Sequence, residues 1–140
     1  MTQSTPQNST NLFKTLEKSP AATQVSLEQV MANIPWNSDG LIPAIAQDYQ
    51  SQQVLMLAWV NACALQQSLT SGKATYYSRS RQALWCKGES SGHVQKIINI
   101  ALDCDGDALL FTVDQLGPAC HTLRPHCFYW NLTSNGAEIV

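Results

Sequence analysis

Residues 94–114 read VQKIINIALDCDGDALLFTVD, two apolar, β-branched runs on either side of Asp105-Gly106. Asp-Gly accepts the positive φ angles of tight hairpin turns, so the stretch predicts two antiparallel strands joined at that dipeptide. The same texture extends upstream. LIPAIAQD (41–48) and QVLMLAWV (53–60) are short apolar runs separated by the polar YQSQ (49–52), and they read as a second strand pair. KATYYSRSR (73–81) is a further β-like run, whereas QALWCKGESSGH (82–93) interrupts its apolar residues with Gly and Ser and reads as a loop. Two segments have helical spacing. SLEQVMANIPW (26–36) offers Ser26 as a cap, apolar Leu27, Val30, Met31 and Ile34, and Pro35 as a stop. NACALQQSLTSG (61–72) offers Asn61 as N-cap and Gly72 just past the end. Short, hairpin-linked strands with few helices predict an α+β fold, mainly antiparallel β-sheet with a few short helices.

Residues 1 to about 25 are rich in Ser, Thr, Gln, Asn and Pro and are expected to form a loose extension, which leaves 26–140 as one domain. A chain of 140 residues buries a core without staples. At 13% charged residues and a formal net charge of -2 it has no excess of base for nucleic acid or a membrane surface, and no run is apolar enough to span a bilayer. The amino terminus lacks the apolar core of a secretory signal, so a cytoplasmic, reducing location is expected. Five cysteines, an odd number, then argue for free thiols that divide between packing and metal ligation. Cys63, on the 61–72 helix, reads as a small packing residue.

Three stretches carry chemistry. In DCDGD (103–107), strand alternation would set Asp103, Asp105 and Asp107 together and turn Cys104 away. Converging carboxylates are either a solvated, acid-rich turn or a site for a hard divalent cation such as Mg2+. A calcium-loop reading fails, because Ala108 and Asp114 stand where its Gly and Glu belong. In GPACHTLRPHCFYW (117–130), Cys120 and Cys127 bracket His121 and His126. These are zinc-type ligands, or else two packed cysteines and two surface histidines; Cys104 is the natural third thiolate. In YYSRSRQALWCKGESSGHVQK (76–96), Arg79, Arg81, Lys87 and Lys96 face one acid, Glu89, and the hydroxyls of Ser90 and Ser91 lie beside backbone amides of the kind that hold phosphate. Trp85 offers a stacking face or a core contact.

Taken together and in this order, GLIPAIAQD, VLMLAWVN, YYSRSR, LWCKGESSGHVQ, LDCDGDALL and GPACHT with CFY closely resemble the phosphoribosyl-AMP cyclohydrolases of histidine biosynthesis. The resemblance implies a zinc- and magnesium-dependent homodimer. It makes Asp103, Asp105 and Asp107 magnesium ligands and Cys104, Cys120 and Cys127 zinc ligands, with Cys104 reaching a site completed by the other subunit. It also implies the reaction, third in that pathway: a zinc-activated water attacks carbon 6 of the adenine ring of a small nucleotide and the bond to N1 breaks. Arg79, Arg81 and Lys87 would hold phosphate beside Trp85, Ser90 and Ser91, and His121, then His93, would move the proton. Leu123-Arg124-Pro125 departs from the family pattern, which puts substrate contacts of that segment in question. The chain ends ten residues after Trp130, so the single-activity form is expected. Two other readings are a non-catalytic zinc module closed by His121 or His126, and a hydrolase of another purine nucleotide.

Overall fold

The computed structural model describes residues 12–140. The opening stretch forms strands β5 (Gln95–Leu102) and β6 (Leu109–Gln115), paired antiparallel from Leu102 opposite Leu109 to Gln95 opposite Gln115. Leu109, Phe111 and Val113 alternate into the core, as the period of a half-buried strand requires. The connection is wider than the tight Asp-Gly turn expected. The Asp103 N–H donates to the Ala108 carbonyl at 2.9 Å, and Asp103 Oδ1 accepts from the N–H groups of Asp107 (2.9 Å) and Ala108 (3.2 Å). Asp103 itself therefore organises a longer loop, in which Gly106 supplies a φ of +78°.

Strands β1 (Ile42–Asp48) and β2 (Val54–Val60) form the second antiparallel pair, followed by β3 (Thr75–Ser78) and β4 (Ala83–Cys86). The sheet order is β4-β3-β2-β1-β6-β5. Every pairing is antiparallel except β1 with β6, which run parallel through Ala44–Leu109 and Asp48–Val113. The architecture is α+β with a mostly antiparallel sheet and few helices. β4 corrects the expectation of a loop over 82–93: Ala83–Cys86 pairs with β3, and only Lys87–His93 remains irregular.

Among the described residues, three short helices serve the sheet. In α1 (Leu12–Leu16), Phe13 lies over Gly106, and a Cβ on that glycine would sit 2.3 Å from the ring. The loose extension expected over 1–25 thus contains a helix from Leu12, while its first eleven residues lie outside the described part. Helix α2 (Leu27–Asn33) is capped by Ser26, whose Oγ accepts from the Gln29 N–H at 3.1 Å. Helix α3 (Ala62–Ser71) is capped by Asn61, which accepts from the Ala64 N–H at 2.8 Å, and ended by Gly72 at φ +74°. It buries Ala64, Leu65 and Ser68 on the sheet, and the Ser68 hydroxyl ties it to Thr75 of β3. Cys63 is exposed on α3 and does not pack, contrary to the sequence reading.

The opposite face of the sheet is left open, with Ile45, Leu57 and Leu84 exposed and Ile45 in register with Leu57 and Leu110. A separate ribbon, β7 (Trp130–Thr133) with β8 (Gly136–Ile139), ends the chain. No helix among the described residues is long and apolar enough to cross a membrane.

Candidate active site

The end of β4, the loop 87–93 and the loop 116–127 enclose a cleft of about 510 Å³. Local chemistry explains why these loops meet. Lys87 follows the last paired residue of β4; its backbone N–H donates to the Ala74 carbonyl at 3.0 Å, and its Nζ donates across the cleft to the Ala119 carbonyl at 2.6 Å. Glu89 Oε1 accepts from the Cys86 N–H at 2.9 Å and folds the loop back on the strand. Gly88, at φ +82°, lies so close to the His93 backbone that a Cβ would stand 2.3 Å from its carbonyl carbon. On the other side, the Cys120 N–H donates to the Arg124 carbonyl at 3.2 Å, the Leu123 N–H to the Cys120 carbonyl at 2.9 Å, and the Cys127 N–H to the Leu55 carbonyl at 2.8 Å. The last bond fastens the loop to β2.

The cleft gathers most of the residues singled out in the sequence. Arg81, Trp85, Lys87, Ser90, Ser91 and His93 line it from β4 and the loops flanking that strand, and Cys120 and His121 from the loop 116–127. Trp85 makes the core contact, its ring packing on Tyr76 at 5.2 Å between centroids, and Lys87 Nζ stands 5.8 Å from the ring. The His93 ring rests on Gly117, where a Cβ would come 2.6 Å from its Cδ2. Arg79 is not in this cleft. Its guanidinium lies 4.9 Å over the Trp59 ring, in a shallow groove on the open face of the sheet. The cause is local: the chain leaves β3 at Ser78, so Arg79 and Arg81 do not share a strand face.

Cys120 and Cys127 interact directly, and their thiols are pushed in opposite directions. The Thr122 hydroxyl, 3.1 Å from Cys120 Sγ, lowers the Cys120 thiol. Packing around Cys127, with Cys120 beside it, pushes that thiol up to about 11. Two neighbouring thiols, one of them with a lowered pKa, are a donor set suited to a divalent cation such as zinc. Among the described residues no further Cys, His, Asp or Glu completes a ligand group with them. His126 in particular is turned to its own loop, where Nδ1 accepts from the Phe128 N–H at 3.1 Å, so a zinc module closed by His126 is not formed.

Asp103, Asp105 and Asp107 do converge: their ligand atoms lie within 4.8 Å of one another, all exposed. Hydrogen bonding to Asp105 and Asp103 holds the Asp107 carboxyl up at about 6, while the hydrogen bond it receives from Asp107 lowers Asp105. All-oxygen ligands at this spacing fit a hard divalent cation. Cys104 faces elsewhere, into an apolar groove with Leu12, Phe13, Leu16, Val25 and Val30, so one copy of the chain does not bring it to Cys120 and Cys127.

Sequence reasoning missed Cys86 and Pro118 of the cleft wall, and beneath it Gln95 and Gln115.

Residues 56–129 match the family model for phosphoribosyl-AMP cyclohydrolase. A phosphoribosyl-AMP cyclohydrolase of Alkalilimnicola ehrlichii is 54% identical over 129 residues, covering 92% of this chain and 91% of that protein. Phosphoribosyl-AMP cyclohydrolase 2 of Pseudomonas fluorescens is 56% identical, with 89% and 85% covered, and the enzyme of Paracoccus denitrificans is 59% identical, with 78% and 89% covered.

Proposed function

The chain belongs to the phosphoribosyl-AMP cyclohydrolase family and is a hydrolase of histidine biosynthesis, and from that premise we propose that the 510 Å³ cleft is where the N1–C6 bond of phosphoribosyl-AMP is hydrolysed. The observation that carries the reading is the meeting in one cleft of Cys120, His93, His121, Arg81 and Lys87, which belong to two separated stretches of sequence. Arg81 and Lys87, with Ser90 and Ser91, bind phosphate, and the exposed edge of Trp85 receives the purine. His121 takes a proton from the attacking water, whose oxygen becomes the carbonyl oxygen on carbon 6. As the C6–N1 bond breaks, His93 delivers a proton to N1. Arg79, held over Trp59, is left out of this assignment.

Cys120 and Cys127 would hold zinc, with Cys104 of a second copy as the third ligand. Zinc held there would supply a water acidified to about neutral, the nucleophile this reaction needs. Asp103, Asp105 and Asp107 would hold magnesium, which neutralises phosphate charge. A homodimer is supported by the direction of Cys104 and by the uncovered apolar stripe of Ile45, Leu57 and Leu84. Five free thiols suit the reducing cytoplasm, where we place the enzyme. The test is turnover: purified protein supplied with zinc, magnesium and phosphoribosyl-AMP should show the ultraviolet change of ring opening. Fully metallated protein that leaves the nucleotide intact would overturn the reading.

A further inference from the structure

Beneath the cleft lies a chain of buried side-chain hydrogen bonds with no part in the chemistry above. The Tyr76 hydroxyl donates to Gln95 Oε1 at 2.6 Å, and Gln95 Nε2 donates to Gln115 Oε1 at 2.9 Å and to Met56 Sδ at 3.4 Å. Gln115 Nε2 then donates to the carbonyls of His93 (3.1 Å) and Leu116 (3.2 Å). Tyr76 and Gln95 are fully buried. Those two carbonyls stand at the bases of the two loops that form the cleft, and the Leu116 N–H donates to the Val94 carbonyl at 3.0 Å beside them.

The order of donors fixes every amide. Turning over Gln95 would set its oxygen against Gln115 Oε1; turning over Gln115 would set its oxygen against two carbonyls. Both glutamine NH2 groups use both hydrogens, so the chain has one self-consistent arrangement. Apolar side chains would fill this volume at no desolvation cost, whereas the Gln115 amide reaches two carbonyls from different loops at once without burying a charge. His93 is the residue so held. Its carbonyl is fixed by Gln115, its backbone abuts Gly88, and its ring rests on Gly117.

We propose that Gln115, backed by Gln95 and Tyr76, is a positioning residue that sets the His93 imidazole in the cleft. The inference rests on the reading of His93 as a proton donor there. Gln115→Met keeps the length of the side chain and removes both donors. It should lower kcat on the order of tenfold to a hundredfold, the effect of misplacing a reacting group by about an ångström, with KM within about twofold of wild type. The imidazole Cε1–H cross-peak of His93, assigned by its loss in His93→Ala, should change from one sharp signal to a broadened or split one. In the His93→Ala background Gln115→Met should change kcat by less than about twofold, because the effect passes through His93.

Wild-type turnover by His93→Ala would overturn the catalytic reading of His93, whatever Gln115 does. Impaired His93→Ala beside a fully active Gln115→Met, or an undiminished Gln115→Met effect without His93, would overturn the positioning role alone. Should Gln115→Met not fold, Tyr76→Phe removes one buried hydroxyl and should move the same signal and kcat in the same direction by less. An unmoved signal with wild-type kcat in that variant would also overturn the role.

Discussion

Gly72 and Gly117 make a matched pair for testing how the cleft holds its histidine. They have nearly the same backbone, φ +74° and +72°, but different surroundings. An added Cβ at Gly72 meets nothing within 4 Å, whereas at Gly117 it meets His93 Cδ2 at 2.6 Å and Nε2 at 3.1 Å. Alanine at either site carries the left-handed backbone penalty, roughly 1 kcal/mol. At Gly117 the imidazole must also leave its resting place, which adds about 1 kcal/mol for a strained side-chain rotamer. Because the obstacle is a movable ring, the fold survives. Gly72→Ala should therefore lower Tm by about 4 °C and Gly117→Ala by about 8 °C, at the roughly 4 °C per kcal/mol of a domain this size. Activity separates them far more. Gly72→Ala should keep wild-type kcat, and Gly117→Ala should lose on the order of tenfold or more, since His93 no longer stands where it rested. Scanning calorimetry with steady-state turnover reads both quantities. Equal kcat in the two variants would refute the claim that the Gly117 contact places His93.

Two further outcomes concern the loops. Asp105→Asn removes one of three converging carboxylates, so it should weaken magnesium binding by about tenfold or more in titration calorimetry while zinc content stays unchanged; zinc loss would mean that the two sites are coupled. At the β1–β2 turn, Asp48 Oδ2 accepts from the N–H groups of Ser51 (2.8 Å) and Gln50 (3.1 Å) and from the Ser51 hydroxyl (3.1 Å), and the Ser51 backbone bond in particular lowers its pKa below 3.8. A lowered carboxyl pKa stabilises the fold above the unfolded value and loses that contribution as pH falls through the folded one. Asp48→Ala should thus cost about 1 kcal/mol near neutral pH and converge with wild type in acid, and a constant difference down to about pH 2 would contradict this.

The sequence made the strands legible wherever one face is buried and the other is not, as in Leu109, Phe111 and Val113 of β6. It made helix ends legible where a residue type does a specific job, as Asn61 and Gly72 do for α3. The parallel pairing of β1 with β6 was hidden because an alternating pattern says which residues face inward and not which way the neighbouring strand runs. Strand β4 was hidden because its four residues show no buried alternation and the Gly- and Ser-rich loop beside them dominates the composition. Arg79 falls outside the cleft because the chain leaves β3 at Ser78, which a run of alternating Ser and Arg does not disclose. The acidic triad came together as expected but through another cause: Asp103 builds a turn on its own carboxylate. Tyr76, Gln95 and Gln115 escaped notice because a buried amide looks like a surface residue until its partners, some twenty positions away, are known.

The central claim is that Cys120 and Cys127 of one copy work with Cys104 of another, and subunit mixing tests it most directly. Cys104→Ser and Cys120→Ser should each be inactive alone. After dissociation and reassociation at equal concentration, half the dimers are mixed and each mixed dimer contains one intact site. Activity should then return to roughly a quarter of wild type, with zinc regained in proportion. Mixtures shown by mass to have exchanged subunits, yet still without zinc and activity, would contradict the shared site.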